Sequence, residues 1–106
     1  MTFPLLPFHI QLGTNPLVIR LPRVAVSPEY ADYILEEVTA DHDVFLDGRG
    51  QVLTNESFPY RVAAALKEKS PRSVTLVGGS REWVERFESA ARDYGLPVKV
   101  EALNIT

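Results

Sequence analysis

Residues 73–103 read SVTLVGGSREWVERFESAARDYGLPVKVEAL, and this stretch decides the fold. Ser73 to Val77 is apolar and partly β-branched, which predicts a buried strand. Gly78-Gly79 then turns the chain, and Ser80 stands where a serine caps a helix by accepting a free amide of its first turn. Beyond it Trp83, Val84, Phe87, Ala90, Ala91 and Tyr94 recur at helical spacing and form one apolar stripe. Glu82–Arg86 and Glu88–Arg92 are i,i+4 pairs with the acid N-terminal, each contributing about 0.3 kcal/mol. Gly95-Leu96-Pro97 is a stop signal, and residues 97–103 alternate as a second strand. Strand, helix and strand in this order predict a right-handed βαβ unit with two parallel strands.

Working back from this unit, Phe58, Val62, Ala65 and Leu66 share a face and predict a helix that ends near Ser70-Pro71. Before it, Val44-Phe45-Leu46 and Gln51-Val52-Leu53 flank Asp47-Gly48-Arg49-Gly50, a pattern that predicts a hairpin. Ser27-Pro28-Glu29 opens a helix expected to run to about Ala40, with Tyr30, Ile34 and Val38, and Ala31 and Leu35 alongside, as its core stripe. Two short strands precede it, Phe8 to Leu12 and Leu17 to Leu21, the second broken by Pro22. Residues 1–7 form a Pro-rich apolar arm. The expected architecture is an α/β two-layer sandwich in one domain of residues 1–106, a mixed β-sheet with three helices and a C-terminal βαβ unit.

Composition narrows the function classes. With no cysteine the chain has no disulfides, no thiolate metal site and no cysteine nucleophile, so a cytoplasmic home is expected. No apolar run is long enough to cross a membrane as a helix. Residues 1–52 hold three arginines against seven acids, whereas residues 53–106 hold eight basic residues against seven acids. Asp32, Glu36, Glu37, Asp41 and Asp43 belong to a block free of Lys and Arg, a candidate acidic face for a basic partner. The plain alternative is a solvated helix face. Arg61, Lys67, Lys69 and Arg72, with Arg81, make a candidate nucleic-acid patch.

Gly78, Gly79 and Ser80 are a candidate anion-binding turn, because a glycine step into a helix leaves backbone amides free. The segment matches neither the dinucleotide fingerprint nor the P-loop, and a tight capped turn is the favoured reading. Asp41, His42, Asp43 and Asp47 carry metal-ligand chemistry, but Asp43 and Asp47 fall about 13 Å apart along a strand, too far for one ion. No metal, cofactor or catalytic residue is therefore assigned. The apolar run of Phe3, Leu5, Leu6, Phe8 and Ile10 either packs on its own sheet or pairs with a neighbour as an edge strand, which gives a homodimer.

From Asp43 onward three motifs resemble a known module. They are Asp47-Gly48-Arg49-Gly50-Gln51-Val52, the helix segment Arg61 to Lys67, and Val74 to Trp83 followed by Ala90-Ala91 and Gly95-Leu96-Pro97-Val98. Residues 43–103 thereby resemble the seventh class of large polyvalent protein-associated domain, found in relaxases and primases of bacterial mobile elements. The resemblance implies an accessory α/β module from a plasmid or phage setting and brings no catalytic residue with it. The leading expectation is a non-enzymatic protein that binds a macromolecular partner, as an inhibitor or regulator of a host defence complex. A nucleic-acid-binding accessory domain of conjugation machinery is the alternative, and a small-anion or enzymatic domain built on Gly78-Gly79-Ser80 is the second.

Overall fold

Parallel pairing runs through the whole sheet. The computed structural model describes residues 15–24, 27–50 and 55–105, the last four by backbone alone. In chain order the elements are β1 (Pro16–Arg20), α1 (Tyr30–Ile34), β2 (Asp43–Asp47), α2 (Phe58–Lys69), β3 (Ser73–Gly79), α3 (Arg81–Tyr94) and β4 (Lys99–Ile105). The strands lie in the order β1-β2-β3-β4, and every neighbouring pair is parallel. The expected βαβ unit is present at β3-α3-β4.

Two expectations are corrected by this pairing. The sheet is not mixed, and Asp43 to Thr54 is not a hairpin, because β1 and β3 occupy both edges of β2 and leave no room for an adjacent antiparallel arm. Residues 51–54 lie outside the described residues, as do the expected strand at Phe8 to Leu12, the arm of residues 1–7 and the homodimer contact placed on them. The glycines after Asp47 mark the exit from a parallel strand, which uses the same residue types as a hairpin turn.

Register sorts the side chains. Leu17 and Ile19, Val44 and Leu46, Val74 and Leu76, and Val100 share one sheet face and meet the helices. From α1 come Ala31 and, just past its end, Leu35; from α2 Phe58, Val62, Ala63, Ala65 and Leu66; from α3 Trp83, Val84, Phe87, Ala90 and Ala91. On the other face Phe45 and Val77 are buried too. All five β2 residues and six of the seven in β3 are buried, the near-continuous burial of inner parallel strands.

Helix α1 is shorter than expected, and Tyr30 is the one residue of its expected core stripe that turns to solvent. It ends at Ile34, and a turn follows in which Val38 N–H donates to the Leu35 carbonyl, an i→i−3 bond that tightens the chain toward β2. Ala31, Leu35 and Val38 take the core positions, while Tyr30 and Tyr33 stand in solvent. Ser27 caps no amide; its hydroxyl donates to Glu29 at 2.7 Å. That bond, with a backbone hydrogen bond second, holds the Glu29 carboxyl below its usual range. Ser80, in contrast, caps α3 as expected, its Oγ accepting Trp83 N–H at 3.1 Å.

The ends of β2 and β3 meet at Trp83. Its indole is fully buried, stacks on Phe87 with centroids 5.3 Å apart and lies 5.9 Å from Phe58. A Cβ on Gly79 would stand 2.6 Å from Trp83 Cδ1, and one on Gly48 would stand 2.8 Å from Nε1. The missing side chains are therefore what admits the ring. Gly79 also sits at φ +127°, a backbone region that side chains disfavour. Gly50, at φ +82°, has nothing within 4 Å of its Cβ position and isolates the conformational cost from the steric one. Gly79→Ala is expected to destabilise by about 3 kcal/mol or more and Gly50→Ala by about 1 kcal/mol, compared by urea denaturation.

Candidate functional site

The carboxyl edge of a parallel sheet is where α/β proteins place ligands, because strands end there in loops that converge on a common rim. In this chain β1 ends at Arg20 and β2 at Asp47, and the two are register partners on the face away from the helices. Asp47 is 1% exposed and would be costly as an unpartnered charge. Arg49 satisfies it: Nε donates to Oδ1 at 2.9 Å, Nη2 to Oδ2 at 2.8 Å, and the Arg49 backbone N–H to Oδ1 at 3.1 Å. Burial pushes the Asp47 carboxyl upward, but the Arg49 hydrogen bonds and charge, with Arg20 nearby, together hold it below its usual value. The same fork raises the Arg49 guanidinium.

An open cleft of about 240 Å³ lies beside this pair, lined by Arg20, Leu21, Arg23, Arg49 and Gly50. In an unbroken strand Arg20 and Arg23 would point to opposite faces. The strand ends at Arg20, Leu21 N–H donates to the Asp47 carbonyl at 2.9 Å, and the chain bends at Arg23, which brings both arginines to one cleft. Sequence reasoning missed this site, since its arginines come from separate loops and Asp47 to Gly50 reads locally as a turn.

The expected anion turn is put to another use. Gly78 and Gly79 are buried, a bulge separates Val77 from Gly79 in the β3–β4 register, and the Ser80 hydroxyl already takes the Trp83 amide. Gly79, with Gly48, makes room for the indole. Among the described residues no group of three or more His, Asp or Glu side chains could hold a metal ion. His42 Nδ1 instead accepts Thr39 N–H at 3.0 Å, closing the loop before β2.

The acidic face is divided. Glu36, Glu37 and Asp41 are exposed, but Asp32 is bound by Arg61 at 2.7 Å, and Asp43 belongs elsewhere. Asp43 is buried at the amino end of β2 and accepts the Ser73 hydroxyl at 2.7 Å, with Arg72 Nη1 3.9 Å away. What remains exposed beside Glu36 and Glu37 is aromatic. Tyr30 and Tyr33 lie 5.5 Å apart, Tyr33 is 64% exposed, and a groove of about 300 Å³ runs from Tyr33, Ile34, Glu36 and Glu37 to β1.

The basic patch is split as well. Arg61 faces Asp32 near the start of α2, whereas Lys67 donates to the Gly95 carbonyl at 3.3 Å one to two turns later and points about 120° away around the helix. Lys69 ends α2, Arg72 sits beside Asp43, and Arg81 opens α3 next to Tyr60, Glu82, Glu85 and Arg86 in a different groove. No helix among the described residues is long and apolar enough to cross a membrane. Comparison of the chain with protein-family models, with curated proteins and with solved structures finds no significant match to any of them.

The Asp47–Arg49 pair fixes a stability signature. Because the folded carboxyl titrates below its ordinary value of 3.8, its contribution is fully present at neutral pH and fades as acid protonates it, from about pH 5 downward. Asp47→Asn is expected to cost about 2–4 kcal/mol at pH 7. Denaturation curves at pH 7 and below pH 4 should show that the gap between wild type and variant narrows in acid.

Proposed function

We propose that this chain is a non-catalytic binding module that docks a basic protein segment on the face formed by α1 and β1. The observation that carries the reading is the exposed Tyr30–Tyr33 pair next to Glu36 and Glu37 on a segment without a single Lys or Arg. Tyrosine supplies contact area at small entropic cost and is enriched at interfaces, while the carboxylates steer a positively charged partner and select its orientation. The groove beside Tyr33, floored by Leu17, Ile19 and Ile34, offers an apolar slot within the acidic rim.

The buried carboxylates favour the same reading. Asp43 accepts from Ser73, and Asp47 is held by Arg49, so each serves the ends of β2. The motif resemblance of residues 43–103 to an accessory domain of mobile-element proteins supplies a setting: a bacterial plasmid or phage protein, working in the cytoplasm, that inhibits or regulates a host defence complex. Nucleic-acid binding through Arg61, Lys67, Lys69 and Arg72 is the weaker alternative, because those side chains lie apart and Arg61 is neutralised by Asp32.

The test uses the immobilised chain in bacterial lysate, wild type against Tyr33→Ala/Glu36→Lys/Glu37→Lys. These side chains lie outside the core, so melting should move little. The expected result is a protein retained by the wild type and lost from the triple variant at equal loading. Equal retention by both, or retention by neither, contradicts the reading.

A further inference from the structure

We propose that the arginine cleft at the carboxyl edge of β1 and β2 binds a phosphomonoester dianion. Three arginines, Arg20, Arg23 and Arg49, line it, and the adjoining carboxylate, Asp47, is already bound by Arg49. Arg49 is pre-positioned, since the Asp47 fork fixes its side chain before any ligand arrives. Among the described residues Arg20 and Arg23 are exposed and form no ion pair or side-chain hydrogen bond. On its other side Arg20 borders the α1 groove, where Glu36 and Glu37 stand without bonding it. Two exposed guanidiniums without a hydrogen-bonded partner among the described residues, beside one rigid guanidinium, give the cleft its basic character.

Charge and size together choose the ligand. Planar guanidinium forks match the oxygens of phosphate and hold them in pairs. The cleft lining holds three arginines and no carboxylate, with Asp47 alongside and Glu36 and Glu37 only beyond Arg20, an excess of positive charge at the cleft that suits a phosphomonoester dianion better than a singly charged diester. At about 240 Å³ the cleft is smaller than the roughly 300 Å³ at which pockets begin to enclose whole ligands, so it grips a phosphoryl group whose remainder lies outside. Leu21, 4% exposed, walls the cleft, and Gly50 leaves its rim open where a side chain would stand. The phosphoryl group belongs either to a small phosphate ester or to the 5′ end of a nucleic acid, and the chemistry at the cleft is the same for both.

The experiment titrates wild type and Arg20→Gln/Arg23→Gln with inorganic phosphate, adenosine 5′-monophosphate, and one single-stranded oligonucleotide carrying a 5′-phosphate or a 5′-hydroxyl. Binding is followed by melting temperature and by ³¹P resonance of the phosphate. Both replaced side chains are exposed, and unchanged melting without ligand verifies the fold. The expected result is phosphate or monophosphate binding at least tenfold weaker in the double variant. If the 5′-phosphorylated oligonucleotide binds at least tenfold more tightly than adenosine 5′-monophosphate and than its 5′-hydroxyl form, a nucleic-acid end is the source; equal binding to the two monoesters identifies a small phosphate ester. Absence of phosphate binding, binding unaffected by the double variant, or oligonucleotide binding that ignores the 5′ group overturns the proposal.

Discussion

The indole of Trp83 holds the loop ends of the two central strands against the helices. It lies where Gly48, Gly79, Phe58 and Phe87 converge, and it joins the exit of β2, the exit of β3, the start of α2 and the first turn of α3. Its Nε1 is buried and finds no hydrogen-bond partner among the described residues, at a cost of about 1–3 kcal/mol. Burying a ring of roughly 200 Å² returns about 5 kcal/mol, before stacking is counted, so the packed arrangement wins. The orphan donor follows from choosing a ring large enough to span both loops.

This packing needs bare backbone at Gly48, just past β2, and at Gly79 in β3. Gly78-Gly79-Ser80 has the outline of a phosphate loop, yet its space is taken from within by the indole and its cap amide by Ser80. The proposed phosphate cleft lies at the rim of β1 and β2, where Gly50 leaves open space and arginines gather. Asp47 connects structure and site: it closes the end of β2 and at the same time fixes Arg49 at the mouth of the cleft. Tyr33 of α1 and Glu36 and Glu37 just past its end share a groove with Arg20, so the proposed acidic docking face and the proposed phosphate cleft adjoin along one strand.

Local signals were legible where they were redundant. The β3-α3-β4 unit was readable because apolar spacing, the Ser80 cap and the Gly95 stop all agree, and each is in place. The hairpin reading of residues 43–54 failed because Asp-Gly-Arg-Gly serves equally well as a parallel strand's exit; only pairing of β2 on both edges decides between them. In α1 the stripe of Ile34 and Val38 with Ala31 and Leu35 does face the core, but Tyr30 turns to solvent and the helix stops after five residues, so the expected run to Ala40 was too long. The acidic face was half legible: its charges are evident, but Asp43 belongs to a strand end and Asp32 to Arg61. The arginine cleft left no local trace, because Arg20, Arg23 and Arg49 converge only through the bend at Arg23 and the β1–β2 register.

Trp83 is the only tryptophan in the chain, so its fluorescence reports this junction alone. With the indole enclosed by glycine backbone and two phenylalanines, and its N–H without a partner among the described residues, native emission should be strongly blue-shifted and nearly insensitive to acrylamide, reverting to the solvent spectrum on unfolding. Red-shifted, readily quenched emission from the folded chain would place the ring in water and contradict the arrangement on which both the strand ends and the cleft depend.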